Sequence, residues 1–474
     1  MLVASLLMLP AISGAIAYVR VSPRARIALL LGTAAIHLLG TTCLWWSRDH
    51  AGLGSWLQVD ALGLLVLTVV SLVFFTVAIY TVGFLATQPE RGGRTFVACL
   101  LAFLTAATLV ALAHHLALLW IGMEATTLSL APLVFYRKDR RSLEAVWKYL
   151  LLSSVGIALA LFGTFFLAAA QVAGRPLVLE DLVLNAGTLE PRLLRAAFVF
   201  LLVGYGTKMG LAPLHSWKPD TYGEAPSPVA ALMAGALTSC AFLGLARATQ
   251  VMVAAGEGAF IRPPLFALGL ASLVVSAGFM LSQTDLKRLL AYSSVEHMGI
   301  LAIALGIGGA GSYGAALHLV NNGLMKGAMF LAVGNVVLLS GTSEAGATRG
   351  LLTRAPLTAM FLLAGLFAVT GSPPFGFFIS ELTILGAAFH AGLLWLVVVM
   401  LLLFAIVFIG MARVLLGVAY GVPREDAQPL AETFPLVSGF LILGGLVLML
   451  GLYIPGPLQA VLSEAARGLG GGAP

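Results

Sequence analysis

Residues 201–217 read LLVGYGTKMGLAPLHSW, an apolar stretch that contains Lys208 and, after it, Pro213 and His215. Apolar residues dominate on both sides, and about 20 such residues suffice for a transmembrane helix. An ionisable side chain inside such a helix costs at least about 2.5–3.5 kcal/mol on insertion scales and is therefore rarely idle. Proline removes a backbone donor, which a membrane tolerates only where protein or water satisfies the freed groups. The stretch predicts a broken transmembrane helix that carries an embedded lysine.

The composition of the whole chain is that of a membrane protein. Of its 474 residues, 60% are hydrophobic and 10% are charged, whereas soluble domains carry roughly 25% charged residues. Its cysteines, Cys43, Cys99 and Cys240, stand apart in apolar segments and predict neither a disulfide nor a metal or iron–sulfur site. The short loops could not house a nucleotide, haem or flavin. We therefore expect no bound cofactor and no catalytic centre of its own.

The apolar runs predict an all-α polytopic protein with about fourteen transmembrane helices. The predicted helices lie near 2–19, 27–46, 58–86, 95–113, 115–136, 145–171, 193–216, 227–252, 264–282, 288–308, 312–340, 356–388, 391–415 and 434–454. The arginines near the N-terminus follow the first apolar run, which is the wrong order for a cleaved signal peptide. The residues after 456 are expected to form a short surface helix with a frayed end.

The loop charges predict the orientation in the membrane. With the N-terminus outside, sixteen lysines and arginines, Lys218 and Lys287 among them, fall in inside loops, and seven, Arg247 among them, fall in outside loops. Positive charge accumulates on the cytoplasmic side of membrane proteins. We therefore predict a multi-pass protein of a bacterial inner (plasma) membrane with both termini on the periplasmic side.

A second interrupted helix is predicted at TGSPPFGFFISELTIL, residues 370–385, where two prolines separate two apolar halves. A matched pair of interrupted helices is typical of inverted-repeat transporters. We predict two inverted five-helix repeats, made of helices 4–8 and 9–13, each with its break in its fourth helix. The predicted units are an N-terminal three-helix segment at 1–94, the repeats at 95–252 and 264–415, and a final helix with a short tail at 416–474.

Further ionisable residues fall within or at the edges of predicted helices. They are Glu124, Lys148, His215, Glu296, His297, His318, Lys326 and Glu381. Together with Lys208 they form a row that can carry protons, because burial disfavours a charged lysine and a nearby glutamate favours it. Glu124 beside Lys208 would make a pair whose proton affinity depends on their separation. His318, Asn322 and Lys326 are spaced four residues apart and share one helix face.

Structural explanations stay open for several of these residues. Glu381 could tether the broken helix, and His215 could bond the carbonyls that the break frees. Glu296 and His297 could pair across helices for packing. Lys148 could be a snorkelling anchor at the membrane edge.

These motifs resemble the antiporter-like membrane subunits shared by respiratory complex I, Mrp-type sodium/proton antiporters and energy-converting nickel–iron hydrogenases. The resemblance covers about 120–385. The matching stretches are WIGMEATTL, GYGTKMGLAPLHSWKPDTYGEAPSPVAALMAGAL, QTDLKRLLAYSSVEHMG, HLVNNGLMKGAMFLAVGN and TGSPPFGFFISEL. The segments EATTL, WKYLLLSSVGIALALFG and SSVEHMG are most similar to the hydrogenase-4 component F group, a subunit of formate hydrogenlyase-like complexes.

The resemblance implies roles for individual residues. Glu124 and Lys208 match the glutamate–lysine pair of the first repeat. Lys326 matches the lysine of the second repeat, with His318 beside it, and Glu381 matches the exit-side station. Lys148 stands where a basic residue is common.

Two positions depart from the family pattern. Ser239 stands where a lysine or histidine often links the half-channels, and Asn322 stands where a histidine is common. Water held by Thr238 and Ser239 would bridge this gap, or coupling between the halves would be weaker.

The sequence thus predicts a proton-translocating subunit, with sodium as the other ion considered, of a hydrogenase-4/formate hydrogenlyase-like or complex I-like NADH dehydrogenase-type assembly. Its predicted partners are other membrane subunits and a peripheral arm with iron–sulfur clusters and a nickel–iron or quinone-reducing site. One alternative is an Mrp-type sodium/proton antiporter without a redox arm. Others are an ion-driven subunit of an inorganic carbon uptake system and a membrane scaffold with a defunct channel.

Overall fold

The computed structural model describes residues 1–19, 21–47, 52–87, 93–172, 174–422 and 430–471. Its α-helices are α1 (Leu2–Tyr18), α2 (Pro23–Ser47), α3 (Ala61–Ala86), α4 (Gly93–Leu112), α5 (Leu116–Val134), α6 (Arg140–Ala170), α7 (Leu179–Leu184), α8 (Pro191–Met209), α9 (Trp217–Glu224), α10 (Ser227–Leu232), α11 (Thr238–Ala254), α12 (Gly258–Ser282), α13 (Leu286–Ile307), α14 (Ala310–Ser340), α15 (Leu351–Arg354), α16 (Pro356–Val369), α17 (Gly376–His390), α18 (Leu394–Tyr420), α19 (Phe434–Leu452) and α20 (Gly456–Gly468). A small hairpin, β1 (Gly52–Leu53) and β2 (Leu57–Gln58), pairs antiparallel.

The helices are long and apolar enough for a polytopic membrane protein, as the composition predicted. Within the described part of the chain, 11 helical stretches meet the length and hydropathy expected of a membrane span. Three shorter apolar helices, α1, α16 and α17, accompany them. The exact number of crossings and the two inverted repeats stay predictions, because length and composition alone identify these stretches.

Burial separates a central group of helices from a lipid-facing one. In α13, 94% of the most apolar window is buried, whereas in α18 only 28% is buried. The most buried stretches are α3, α13, α14 and the run from Ser227 to Ala254. The outer helices instead expose apolar side chains, as α18 does with Leu402 and Ile409. Such residues suit a hydrocarbon environment, in which an all-apolar helix surface costs nothing.

Both predicted interruptions are present. The first lies between α8 and α9, where Gly210 has a left-handed φ of 76°. The second lies between α16 and α17, where Gly371 has a φ of 67°. A residue with a Cβ rarely adopts this conformation, so glycine allows each helix to end abruptly.

Several local features differ from the sequence prediction. The stretch predicted as one helix at 227–252 contains a π-turn at Met233–Leu237, a feature with no clear sequence signal. Helix α14 is continuous from Ala310 to Ser340, although Gly334 lies within its second half. The tail helix α20 is present with a partly buried face, and residues 472–474 lie outside the described residues.

Capping residues place the starts of two helices. Asp139 caps α6, where its carboxylate accepts a hydrogen bond of 2.7 Å from the Ser142 amide. This bond holds the pKa of the Asp139 carboxyl below its usual value. Asp60 caps α3 by accepting a hydrogen bond of 3.1 Å from the Gly63 amide. Aspartate at these positions satisfies amides that the first helical turn leaves unpaired.

Candidate functional site

The first buried cluster joins α5 and α8. Lys208 is completely buried, and its Nζ lies 4.0 Å from Oε2 of Glu124. The same ammonium contacts the hydroxyl of Thr127, one helical turn further along α5. It also lies 5.8 Å from the ring centroid of Tyr149 on α6. The structure therefore brings together the two residues that the sequence predicted to pair.

The second buried cluster joins α13, α14 and α17. Nζ of Lys326, a completely buried residue, donates a hydrogen bond of 2.5 Å to the hydroxyl of Ser293. That hydroxyl lies 3.4 Å from Oε2 of Glu296. Lys326 also interacts electrostatically with Glu381, which is 8% exposed. Both clusters therefore contain a lysine, a hydroxyl group and a carboxylate.

Glu296 had the structural explanation of a packing pair in the sequence analysis. The structure places it instead with Lys326, in a position similar to that of Glu124 with Lys208. The sequence alone does not reveal this partner, because the two residues are 30 positions apart and lie on different helices, α13 and α14. The free energy needed to bury a carboxylate falls when an ammonium lies beside it.

Two histidines extend the second cluster toward α17. The rings of His297 and His318 approach within 3.0 Å, from Nδ1 to Nε2. Nδ1 of His318 lies 3.0 Å from the hydroxyl of Ser380. The carboxylate of Glu381 also lies near these rings, because one ligand atom of each of His297, His318 and Glu381 lies within 4.8 Å of the others. Both rings also pack against Phe377, at centroid distances of 4.9 Å and 5.3 Å.

His297, His318 and Glu381 also form a group whose potential metal-ligating atoms lie within 4.8 Å of one another. In this group the two imidazoles already use Nδ1 of His297 and Nε2 of His318 for the contact between them. This arrangement suits the transfer of a proton between rings better than the binding of a shared ion.

Lys148 does not join either buried cluster. Its Nζ lies 2.7 Å from Asp220 and 2.7 Å from Glu144, and its side chain is 43% exposed. Arg288 approaches the other oxygen of Asp220 at 3.1 Å. These side chains line a polar cavity of about 420 Å³ that opens at the protein surface. The anchoring role considered for Lys148 fits this position.

His215 lies inside the break between α8 and α9, where it is half-buried. Its ring lies 6.4 Å from that of Tyr292 on α13. Lys218 on α9 acts on it electrostatically. His215 is therefore close to the first break but is not part of either cluster.

The assignment of Lys218 and Lys287 to inside loops was wrong, because both are buried. Lys218 is 0% exposed and Lys287 is 1% exposed. Nζ of Lys218 donates a hydrogen bond of 2.6 Å to the carbonyl of Met209, the last residue of α8. Nζ of Lys287 donates one of 2.5 Å to the carbonyl of Ala225, which follows α9. The signal that could have found them is the broken helix itself, since a helix end leaves carbonyls in need of donors.

Arg247 was counted with the outside loops and is also buried. Its guanidinium is 0% exposed and lies 3.0 Å from Oδ1 of Asp60. His114 approaches the same carboxylate at 3.9 Å. This group links α3 to α11 at the end of the central helices.

We expect Arg247→Met to destabilise the protein by roughly 2–4 kcal/mol, because it leaves the Asp60 carboxylate without its main partner. The measurement is the melting temperature of the detergent-purified protein. Asp60→Asn with Arg247→Met should recover part of the loss, since the neutral pair leaves no unpaired charge. Equal melting temperatures for Arg247→Met and the unaltered protein would contradict this role.

The two departures from the family pattern are both at buried positions. The hydroxyl of Ser239 donates a hydrogen bond of 2.7 Å to the carbonyl of Gly235 in its own helical turn. Asn322 is completely buried, and its side-chain amide has no hydrogen-bond partner among the described residues. Buried polar groups are almost always hydrogen-bonded, so internal water is expected at Asn322.

A family model described as NADH:quinone oxidoreductase/Mrp antiporter, TM, matches residues 113–408. A hydrogenase-4 component F homolog from Methylacidiphilum infernorum is 34% identical over 443 residues, which cover 89% of this chain and 90% of that relative. Subunit N of the F420H2 dehydrogenase from Methanosarcina mazei is 31% identical over 376 residues, which cover 76% of this chain and 74% of that relative.

Solved structures share the fold over nearly the whole chain. A chain of the membrane-bound sulfane sulfur reductase, an archaeal respiratory membrane complex, aligns with a TM-score of 0.90 and 24% identity, over 98% of this chain and 97% of that one. A chain of respiratory complex I from Thermus thermophilus aligns with a TM-score of 0.80 and 27% identity, over 98% of this chain and 100% of that one. The helix arrangement is thus one that membrane subunits of respiratory complexes adopt.

Proposed function

This chain belongs to the family of membrane subunits that NADH:quinone oxidoreductases and Mrp antiporters share, and we propose that it moves protons across the bilayer as part of a redox-driven complex. The observation that carries the proposal is the pair of buried clusters around Lys208 and Lys326. A completely buried lysine is costly in a membrane protein and is usually functional.

Each cluster can take up and release a proton by a small displacement. When Glu124 lies close to Lys208, the carboxylate stabilises the ammonium and favours its protonated form. When the two separate, the buried ammonium loses this stabilisation and releases its proton. Glu296 and Glu381 both act on Lys326 in this way, so the protonation of the second cluster depends on the positions of two carboxylates.

The histidine row gives the second cluster a route toward Glu381. Neutral imidazole accepts a proton at one nitrogen and releases one from the other, so two adjacent rings can pass a proton along. The Ser380 hydroxyl and the Glu381 carboxylate both lie close to His318 on this route. In the proposed function, Glu381 is the station from which protons leave the second half.

We further propose that the chain divides into the repeats 95–252 and 264–415, between an N-terminal segment at 1–94 and a C-terminal one at 416–474. Support comes from the similar content of the two central parts. Each has one broken helix with a glycine at the break, and each has a completely buried lysine that interacts with at least one carboxylate. A duplicated arrangement of this kind is common in transporters.

The proposed complex is of the hydrogenase-4 or complex I-like type. Support comes from the names of two relatives. One is a subunit of an F420H2 dehydrogenase, and the other is a homolog of hydrogenase-4 component F. The proposed partners are further membrane subunits and a peripheral arm with iron–sulfur clusters and a nickel–iron or quinone-reducing site. Sodium/proton exchange without a redox arm is the second candidate, because the family description names the Mrp antiporter beside the oxidoreductase.

The test is to purify the native complex, identify its subunits, and energise it in inverted membrane vesicles with its own electron donor. A proton gradient that forms without added sodium supports the proposal. Transport that needs sodium, with only small membrane subunits co-purifying, would instead support the second candidate.

The proposed location is a bacterial inner membrane with both termini on the periplasmic side. The charge bias persists after the buried Lys218, Lys287 and Arg247 are removed from it, with fourteen positive residues inside and six outside. We therefore expect a fusion of alkaline phosphatase to the C-terminus to be active in cells. A C-terminal fluorescent protein that folds only in the cytoplasm should stay dark, and the opposite result would reverse the orientation.

A further inference from the structure

The route between the two clusters is the part of the mechanism that the sequence leaves unexplained. The clusters belong to different sets of helices, and at the Ser239 position the side chain cannot hold a charge. The hydroxyl of Ser239 is also engaged with the carbonyl of Gly235 at 2.7 Å. Water at this position is one way to connect Lys208 to Lys326, and a titratable group on another helix is the other.

Lys218 lies between the clusters. It is completely buried on α9, a short helix that packs between α6 and α13. Its ammonium binds the carbonyl of Met209, the residue next to Lys208. On its other side it acts electrostatically on Lys326 and on His297. No other lysine of the described residues is connected to both clusters in this way.

Two buried tyrosines flank Lys218 and extend the connection in both directions. Tyr149 lies beside the ammonium of Lys208, at 5.8 Å from ring centroid to Nζ. Tyr222 lies beside the ammonium of Lys218, at 5.7 Å by the same measure. The hydroxyls of Tyr149, Tyr222 and Ser294 are buried and have no hydrogen-bond partner among the described residues, and Ser294 follows Ser293 of the second cluster. Hydroxyl groups at these places can hold water molecules in a chain.

We propose that Lys218 relays protons between the Lys208 and Lys326 clusters along α9, in place of a basic residue on α11. This inference rests on the proposed function and adds a residue to it. In each step Lys208 gives up a proton to water, the neutral amine of Lys218 takes one up, and Lys218 then releases it toward Lys326. No electron moves and no other bond changes.

A purely structural role is the competing explanation, and Lys287 shows what it looks like. Lys287 is also buried and donates to the carbonyls of Gly223 and Ala225, at 3.2 Å and 2.5 Å. The charged groups that act on it are Arg137, Asp285 and Glu224, none of which belongs to a buried cluster. Lys218 shares the bond to a helix end with Lys287 but differs in facing both clusters.

The experiment compares proton transport and electron transfer in the complete complex in inverted vesicles. We expect Lys218→Gln to lower the number of protons moved per electron by about tenfold, while the rate of electron transfer changes by less than about twofold. A tenfold lower rate of proton transport corresponds to a barrier higher by about 1.4 kcal/mol. Lys218→His should keep part of the transport, with its pH optimum moved to lower pH. Histidine has an ordinary pKa of about 6.5 and lysine one of about 10.4.

A matched control is Trp217→Phe. It removes the other side-chain bond to the end of α8, from Trp217 Nε1 to the carbonyl of Thr207 at 2.9 Å. The change keeps an aromatic ring against Tyr149 and Tyr222, and it leaves Lys218 and both tyrosine hydroxyls in place. We expect it to transport protons normally. If Trp217→Phe and Lys218→Gln lose transport equally, or if Lys218→Gln transports normally, the relay is overturned.

If the complex that carries Lys218→Gln does not assemble, Lys218→Arg tests the relay instead. Arginine keeps the donor and the charge but cannot release its proton. The relay predicts an assembled complex that transfers electrons without proton transport, and normal transport in Lys218→Arg overturns it. Normal transport in Lys208→Gln would contradict the proposed function itself, so the two failures are distinguishable.

Discussion

Lys208→Gln is expected to abolish proton transport while the complex still assembles. Glutamine can keep a hydrogen bond to Thr127 but cannot take up a proton, so the first cluster loses its titratable group. We expect the rate of proton transport to fall by about tenfold or more, which corresponds to a barrier higher by at least roughly 1.4 kcal/mol. The measurement is the quenching of a pH-sensitive dye in inverted vesicles energised by the electron donor of the complex.

The matched control for this variant is Lys138→Gln. Lys138 is an exposed lysine in the turn before α6, so it loses the same charge at the surface. We expect it to transport protons at the normal rate. Normal transport in Lys208→Gln, with assembly verified by co-purification, would remove the buried lysine from the mechanism and favour the membrane scaffold considered from the sequence.

Glu296→Gln is expected to have an effect of similar size, although the sequence left its role open. The change removes the carboxylate that approaches Lys326 through Ser293, at 3.4 Å from the hydroxyl. Lys326 then keeps only Glu381 as an acidic neighbour, and its ammonium is less well stabilised in the buried state. We expect proton transport to fall by about tenfold, again corresponding to about 1.4 kcal/mol, with assembly retained because the shape of the side chain is preserved.

Glu344→Gln is the control for the second variant, since Glu344 is an exposed carboxylate. It should leave transport unchanged. Glu296→Asp should give an intermediate rate, because the charge is kept but lies farther from Lys326. If Glu296→Gln transports like the control, the carboxylate serves packing, as the other explanation held, and Glu381 is the partner that matters for Lys326.

The two buried clusters differ in how their lysines are held. Lys208 has one carboxylate, Glu124, whose side chain is 23% exposed. Lys326 has two, Glu296 and Glu381, which are 3% and 8% exposed. The second cluster is therefore drier and more acidic, and a proton bound there is shared among more groups. The two halves are not expected to titrate alike, even if they arose by duplication.

The resemblance stated from the sequence motifs is confirmed by the family match over 113–408. The segments EATTL and SSVEHMG indicated the hydrogenase-4 component F group, and a homolog of that component is 34% identical to the chain. Motifs of this kind can be recognised from the sequence because each combines an ionisable residue, which is unfavourable within an apolar helix, with its immediate neighbours. Glu124 and Lys326 could be recognised in this way without a structure.

The residues that sequence reasoning misplaced share one property. Lys218, Lys287 and Arg247 lie within a few residues of the end of a predicted helix, where an error of one or two positions moves a residue from a span to a loop. Counting such residues as loop charges ignored the alternative that a broken or packed helix end needs donors. Lys148 shows the converse, since it lies inside a predicted helix and still reaches a surface cavity.

By itself, the sequence determined that this is a polytopic helical membrane protein with two broken helices and embedded lysines. Those properties depend on local free energies. The effect of a long apolar run on membrane insertion, and of a proline or lysine within it, is the same wherever the helix packs. Only the tertiary structure decided which groups meet: Glu296 with Lys326, Lys218 between the clusters, Arg247 with Asp60. These partners come from different helices, and the free energy that keeps a charge buried depends on the distance to its partner in space.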